Sequence, residues 1–191
     1  RALRVLKDLS HTLPPGKTTW RKLKVTIVNL MMLSSPKTLP ALFSAGGNAL
    51  PPTQEERIAG LRGGFEVSKM LHEIAKPTLA AIPGAAAGAG LSMALACDLR
   101  VALDTAKLTT AFAKVGLSGD YGVSHFLPYL VGQAKARELL FTAPVITGQQ
   151  ALQFGLVNQF ADADGYDAMV SAMAAQLAAL PTVALGCMKG N

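Results

Sequence analysis

Apolar and polar positions change rhythm several times along the chain, and each change predicts a different element. Lys24 to Leu33 (KVTIVNLMML) is almost continuously apolar and rich in β-branched residues, the pattern of a buried strand. Ala41 to Leu50 (ALFSAGGNAL) reads as a short apolar strand running into a Gly-Gly turn. Beyond Pro51 and Pro52, Ile58, Leu61, Phe65, Met70, Leu71 and Ile74 keep a rough helical spacing and predict a helix over 54–75. Gly60, Gly63 and Gly64 weaken that helix, and Pro77 ends it. Strands are predicted at 78–82, 99–102 and 107–110. A small-residue turn at 84–90 leads into a helix from about Leu91 to Cys97, and a second turn fills 112–121. Helices are predicted at 123–130, 134–141, 148–154 and 166–180. Residues 1–22, with Pro14, Pro15 and Gly16 at their centre, read as a short amphipathic helix plus a loop, and 34–40 as a loop. Strand, turn and helix alternate in the middle and the tail is helical, which is an α/β pattern with parallel connections. The longest apolar run, 79–95, is broken by Pro83, Gly84, Gly88 and Gly90, so no segment is predicted to cross a bilayer.

Composition narrows this further. The 191 residues suit one domain with a substantial core, and the dominance of Ala, Leu and Gly suits close helix–sheet packing. Cys97 and Cys187 match no metal or redox spacing, and no metal site is expected. Cys97 lies in an apolar helix and reads as a small buried hydrophobe, which fits a reducing compartment. The net charge of +6 is confined to one end: residues 1–40 hold eight Lys or Arg and one acid, and the rest of the chain is close to neutral. A basic front fits a solvated arm, a nucleic-acid or membrane contact, or a transit segment. Basic residues are not interleaved with aromatics and no nucleic-acid motif is present, so the solvated arm is preferred and nucleic acid is not expected as a partner.

The stretch from Gly84 to Asp98 (GAAAGAGLSMALACD) carries the clearest chemistry. Gly88, Ala89 and Gly90 leave the backbone nearly bare, so a ligand oxygen can approach the amides closely. The helix that follows adds a positive dipole end. The pair suits a negatively charged oxygen, yet no carboxylate stands in or beside the turn.

Three further segments fall in order with it: FSAGGNAL at Phe43–Leu50, VGLSGDYG at Val115–Gly122, and TAPVITGQQALQFGLVNQF at Thr142–Phe160. Together the four resemble the enoyl-CoA hydratase/isomerase, or crotonase, family, over Phe43 to Asn158. The resemblance implies a crotonase-like spiral of ββα units with a helical C-terminal segment, and an acyl-CoA thioester as ligand. It implies that two backbone amides, of Gly47 and Ala89, hold the thioester oxygen as it becomes an enolate. It places Ala45, Gly47, Asn48, Ala49 and Leu50 along the CoA path, with Asn48 where the family usually has aspartate, and adds Ala85, Gly88, Ala89, Ala111, Phe112 and Gly116 to the substrate lining. Coenzyme A is then part of the substrate, and no separate cofactor is expected. A homo-oligomer is implied, a trimer or a dimer of trimers, in the cytoplasm or alternatively the mitochondrial matrix or another organelle.

The two glutamates of the best-known hydratases would fall at Ser92 and Phe112, neither of which moves a proton at neutral pH. A two-glutamate hydration is therefore not expected. Asp120 is the nearby acid, at a place in the loop where some family members, the dienoyl-CoA isomerases among them, use one. Ser-Gly-Asp-Tyr-Gly is equally good turn chemistry, so both readings of Asp120 stand. Asp98 reads as structural, satisfying amides at a helix end; His125 as a partly exposed structural histidine; His72 has no evident partner. The organisation expected is a basic segment at 1–40, unlike the family's usual start, then a crotonase-like core at 41–191 with a partial C-terminal helical region. Two functions follow: an acyl-CoA enzyme using Gly47, Ala89 and Asp120, or an inactive or truncated relative that binds acyl-CoA or serves only in assembly.

Overall fold

The computed structural model describes residues 26–29 and 53–190. In chain order the elements are β1 (Thr26–Asn29), α1 (Gln54–Glu73), β2 (Thr78–Ile82), β3 (Ala86–Ala87), α2 (Ala89–Ala96), β4 (Leu99–Leu103) and β5 (Lys107–Thr109). A 3-10 turn (Phe112–Val115) follows, then α3 (Val123–Thr142), β6 (Ile146–Thr147), α4 (Gly148–Gln153), β7 (Gln159–Ala161), α5 (Tyr166–Ala179) and α6 (Thr182–Gly190). One parallel sheet runs in the order β1-β2-β4-β7. A second has the order β3-β5-β6, parallel between β3 and β5 and antiparallel between β5 and β6.

Alternation along the strands makes the layers. Leu79, Ala81 and Val101 point to one face of the parallel sheet, where α5 lays down Tyr166, Met169, Val170 and Met173. Ala80, Ile82 and Ala102 point to the other, into the main core. Both faces are covered, so these strands read as apolar runs with no polar alternation. In the main core lies α2, all eight of whose residues are buried. A helix that is hydrophobic all round belongs in an interior. Here it packs against α1 and α3.

The chain is α/β with a helical end, as its pattern predicts, but several elements differ. The expected helix at 91–97 begins at Ala89, because the turn is made by Gly88 alone and Ser92 N–H closes on Gly88 C=O at 2.9 Å. Ala86–Ala87 pairs with Leu108–Thr109, a strand hidden by residues of no β preference. The 112–121 turn contains a 3-10 helix. The helices expected at 123–130 and 134–141 are joined in α3, whose backbone breaks at Gly132 (φ 76°, ψ 161°). β6 and β7 are too short to leave a period, and α6 follows Pro181 with two glycines in its sequence, so none of the three was expected. The parallel connections expected hold at four of the five strand pairings among the described residues, and β5–β6 is antiparallel. Predictions for 1–22, 34–40 and 41–50 lie outside the described residues, whereas β1 sits within the strand expected at 24–33. Among the described residues no single helix is long and apolar enough to cross a membrane.

Candidate active site

Gly88 joins β3 to α2 with φ 53° and ψ −121°, a backbone geometry that L side chains avoid. Its own N–H donates to Thr109 C=O at 3.1 Å, which ties the turn to β5. The first intrahelical bond is Ser92 N–H to Gly88 C=O. The amides of Ala89, Gly90 and Leu91 therefore precede the helix's own hydrogen bonding. No side chain caps them. Ala89 is fully buried, and its N–H meets no acceptor among the described residues. A buried donor left in this way sits at the positive end of α2, where the helix dipole favours a negative oxygen.

Ser92 and Phe112 occupy the two positions where the family resemblance places glutamates. The Ser92 side chain is buried and donates its hydroxyl to Gly88 C=O at 3.0 Å, so it braces the turn. Phe112 is also buried, and a Cβ on Gly88 would lie 3.7 Å from Phe112 Cε1 and Cζ. The ring thus forms an apolar wall beside the turn. On its other side it meets Gly119: a Cβ there would stand 4.0 Å from Phe112 Cδ2 and 2.8 Å from Val123 Cγ1. With φ +109° as well, position 119 accepts only glycine. The Gly88 turn, the Phe112 ring and the loop carrying Asp120 are in this way consecutive neighbours.

Asp120 is partly buried, and burial pushes its carboxyl above the ordinary aspartate value. Tyr121, buried with φ 55°, packs edge-on against Phe65 with ring centroids 6.0 Å apart. Its phenol is pushed up, by burial first and by Asp120 second. Ala111, in the left-handed region at φ 58°, leads into the 3-10 turn, and Gly116 closes it at φ 72°. Ala85 is exposed and Ala111 half-buried. The structure thus groups Gly88, Ala89, Phe112 and the Asp120 loop, while Ala45, Gly47, Asn48, Ala49 and Leu50 lie outside the described residues.

A polar network holds the opposite end of α2. Asp98 Oδ2 accepts the Thr78 N–H at 2.7 Å, the Thr78 hydroxyl at 2.8 Å and Lys189 Nζ at 2.8 Å. Lys189 also donates to Leu71 C=O at 2.8 Å, fastening α6 to α1. Nothing in the sequence singled out Lys189, because its partner lies far away along the chain. Arg100 is buried and donates from Nε to Leu156 C=O at 2.7 Å and from Nη1 to Cys97 C=O at 2.5 Å. Its N–H and C=O also pair with the Asn158 side chain and backbone. Burial holds the Cys97 thiol up at about 12, so it stays protonated. His72 and His125, both exposed, do have neighbours: their rings gather around Phe126 and Tyr129.

Residues 33–190 match the family model described as Enoyl-CoA hydratase/isomerase. The chain belongs to the enoyl-CoA hydratase/isomerase family. Among curated members, it is 44% identical over 126 residues to 4-chlorobenzoyl coenzyme A dehalogenase-1 of Arthrobacter sp, a match covering 65% of this chain and 45% of that one. It is 37% identical over 126 residues to the mitochondrial methylglutaconyl-CoA hydratase of Rattus norvegicus, covering 63% and 39%. The chain therefore spans less than half the length of these family members. Among solved structures, a putative enoyl-CoA hydratase from Thermobifida fusca YX in complex with CoA superposes with a TM-score of 0.78 at 29% identity, over 97% of this chain and 71% of the other. The fold is accordingly the crotonase-like α/β fold, with α2 in the core and the Gly88 turn at its N-terminus.

Proposed function

We propose that this chain is an enzyme of the hydratase/isomerase type that acts on acyl-CoA thioesters through an enolate. The thioester oxygen is held by the Ala89 N–H and by the N–H of Gly47, and Asp120 moves the proton. The observation that carries this reading is the buried Ala89 amide at the head of α2, which lacks an acceptor among the described residues. Donors fixed in advance at a developing charge need no reorganisation during reaction, and one such donor is worth about 3–4 kcal/mol of barrier.

Ionised Asp120 removes a proton from carbon next to the thioester, and the electron pair moves onto the carbonyl oxygen between the two amides. The carboxyl then returns the proton to a different carbon, which shifts the double bond. For hydration, the same carboxylate takes a proton from water as the water oxygen adds to C3, and the resulting acid protonates C2. Ser92 and Phe112, at the two positions where the family resemblance puts glutamates, argue against a two-glutamate route. Ala45, Asn48, Ala49 and Leu50 line the CoA path and Ala85, Gly88, Ala111, Phe112 and Gly116 the acyl side. CoA arrives with the substrate and no other cofactor takes part. We assign residues 1–40 to a basic segment and 41–191 to the catalytic core, with assembly as a trimer or dimer of trimers in the cytoplasm or mitochondrial matrix. The names of the family members, a dehalogenase and a hydratase of CoA thioesters, support the catalytic reading over a purely structural one.

The test is turnover of a panel of 2-enoyl- and 3-enoyl-CoA thioesters by the unmutated protein and by Asp120→Asn. Turnover that falls by orders of magnitude in the variant while thioester binding persists is the expected result. Binding without turnover by the unmutated protein would replace this reading with the non-catalytic one.

A further inference from the structure

A cleft of about 430 Å³ opens at the C-terminal end of α2, away from the Gly88 turn. That size falls within the roughly 300–1,000 Å³ usual for small-molecule pockets. One wall is aromatic. His72 of α1 and His125, Phe126 and Tyr129 of α3 line it, with ring centroids 5.1 Å apart for His72–Phe126, His125–Phe126 and His125–Tyr129. The rings meet edge-on or tilted, the geometry in which aromatic side chains pack favourably, and a further ring can join the cluster in the same way.

Arg100 forms part of the same lining although it is only 4% exposed. Its guanidinium donates to backbone carbonyls of Leu156, Cys97 and Asp98, and it has no carboxylate partner among the described residues. The Nη2 contact to Asp98 C=O is 3.5 Å, at the limit of a hydrogen bond, so that nitrogen has a better acceptor to gain. The one carboxylate in the lining, Asp98, is already neutralised by Lys189. Asp98 also acts electrostatically on Arg100, so two cations share one carboxylate and a net positive charge remains beside the aromatic wall. Burial lowers the Arg100 pKa, and an anion beside it would offset that cost. Metal binding does not explain the two histidines, since no group of three His, Cys, Asp or Glu among the described residues can hold an ion.

We propose that this cleft binds a small aromatic carboxylate, the carboxylate directed to Arg100 and the ring against His125, Phe126 and Tyr129. The weakly bonded Nη2 of the charged guanidinium can donate to a carboxylate oxygen, and the aromatic rings match an arene. Neither half requires anything of the proposed thioester site.

Benzoate is the probe, titrated into the full chain by calorimetry, with benzyl alcohol as the uncharged control. Tyr129 is 80% exposed and His125 is exposed, so Tyr129→Ala and His125→Ala are expected to fold, checked by circular dichroism and Tm. Benzoate should bind one to one, each variant should weaken it by roughly 2- to 10-fold, and benzyl alcohol should bind about tenfold more weakly or worse. Saturation with a CoA thioester should leave benzoate in place. Absence of benzoate binding at millimolar concentration, affinity unchanged in both variants, or displacement by the thioester would each overturn the proposal. Because the titration requires no turnover, an inactive protein would still give a clear answer.

Discussion

Phe112 stands against Gly88 and puts an apolar ring beside the turn, at a position where the proposed mechanism has no second acid. In the proposed mechanism proton transfer falls to Asp120, and burial gives that carboxyl a raised pKa. If ionised Asp120 is the base, kcat/KM should rise along an acid limb whose midpoint lies above the ordinary aspartate value of about 3.9. A pH–rate profile reads this directly, and a limb at or below that value would argue against Asp120. The same shift bears on stability. A carboxyl whose folded-state pKa is raised opposes folding once the pH passes its unfolded value, and does so in full above the folded one. Asp120→Asn should therefore keep or slightly raise Tm at neutral pH while it abolishes turnover, whereas a structural aspartate would lose Tm. Gly88→Ala should do the reverse of a mild change. Its φ of 53° and ψ of −121° strain any Cβ, at a cost of about 1–3 kcal/mol, and the Ala89 amide would be re-aimed. Calorimetric unfolding together with turnover would show both losses.

At the scale of elements, Lys189 of α6 links three parts of the chain. Lys189 Nζ reaches Asp98, Thr78 and the end of α1 while only 9% of its side chain is exposed. Lys189→Ala leaves the Asp98 carboxylate and the Leu71 carbonyl without that donor, and should cost about 2 kcal/mol in urea unfolding. A change within experimental error would mean that α6 is not docked as described. This bond also marks the limit of what the sequence revealed. Periodicity exposed α1, α2, β2 and β4, because buried elements impose apolar runs or helical spacing on their own residues. Gly132 falls between two predicted helices and proves to be the break inside α3. By contrast, β3 and β6 are two residues each and β7 three, and take their existence from partners elsewhere in the chain. The site divided in the same way. The bare Gly88–Ala89 turn was visible in composition, but the placing of Phe112 between Gly88 and Gly119 depends on tertiary packing. His72 looked solitary because its ring neighbours His125 and Phe126 come from another helix.

At the scale of the whole molecule, the parallel sheet is covered on both faces and α2 fills the core, which keeps the Gly88 turn rigid on buried elements. Rigid support of this kind is what preorganised charge stabilisation needs. Assembly as a trimer or hexamer should appear in sedimentation velocity, and a monomer at micromolar concentration would contradict that part of the proposal. The central claim is that the Ala89 amide, with its partner at Gly47, polarises a thioester carbonyl. It is tested most directly by the infrared band of that carbonyl in an acyl-CoA titrated onto the protein. The account predicts that the band moves to lower frequency on binding and moves back in Gly88→Ala; a thioester that binds with its carbonyl band unmoved would contradict it.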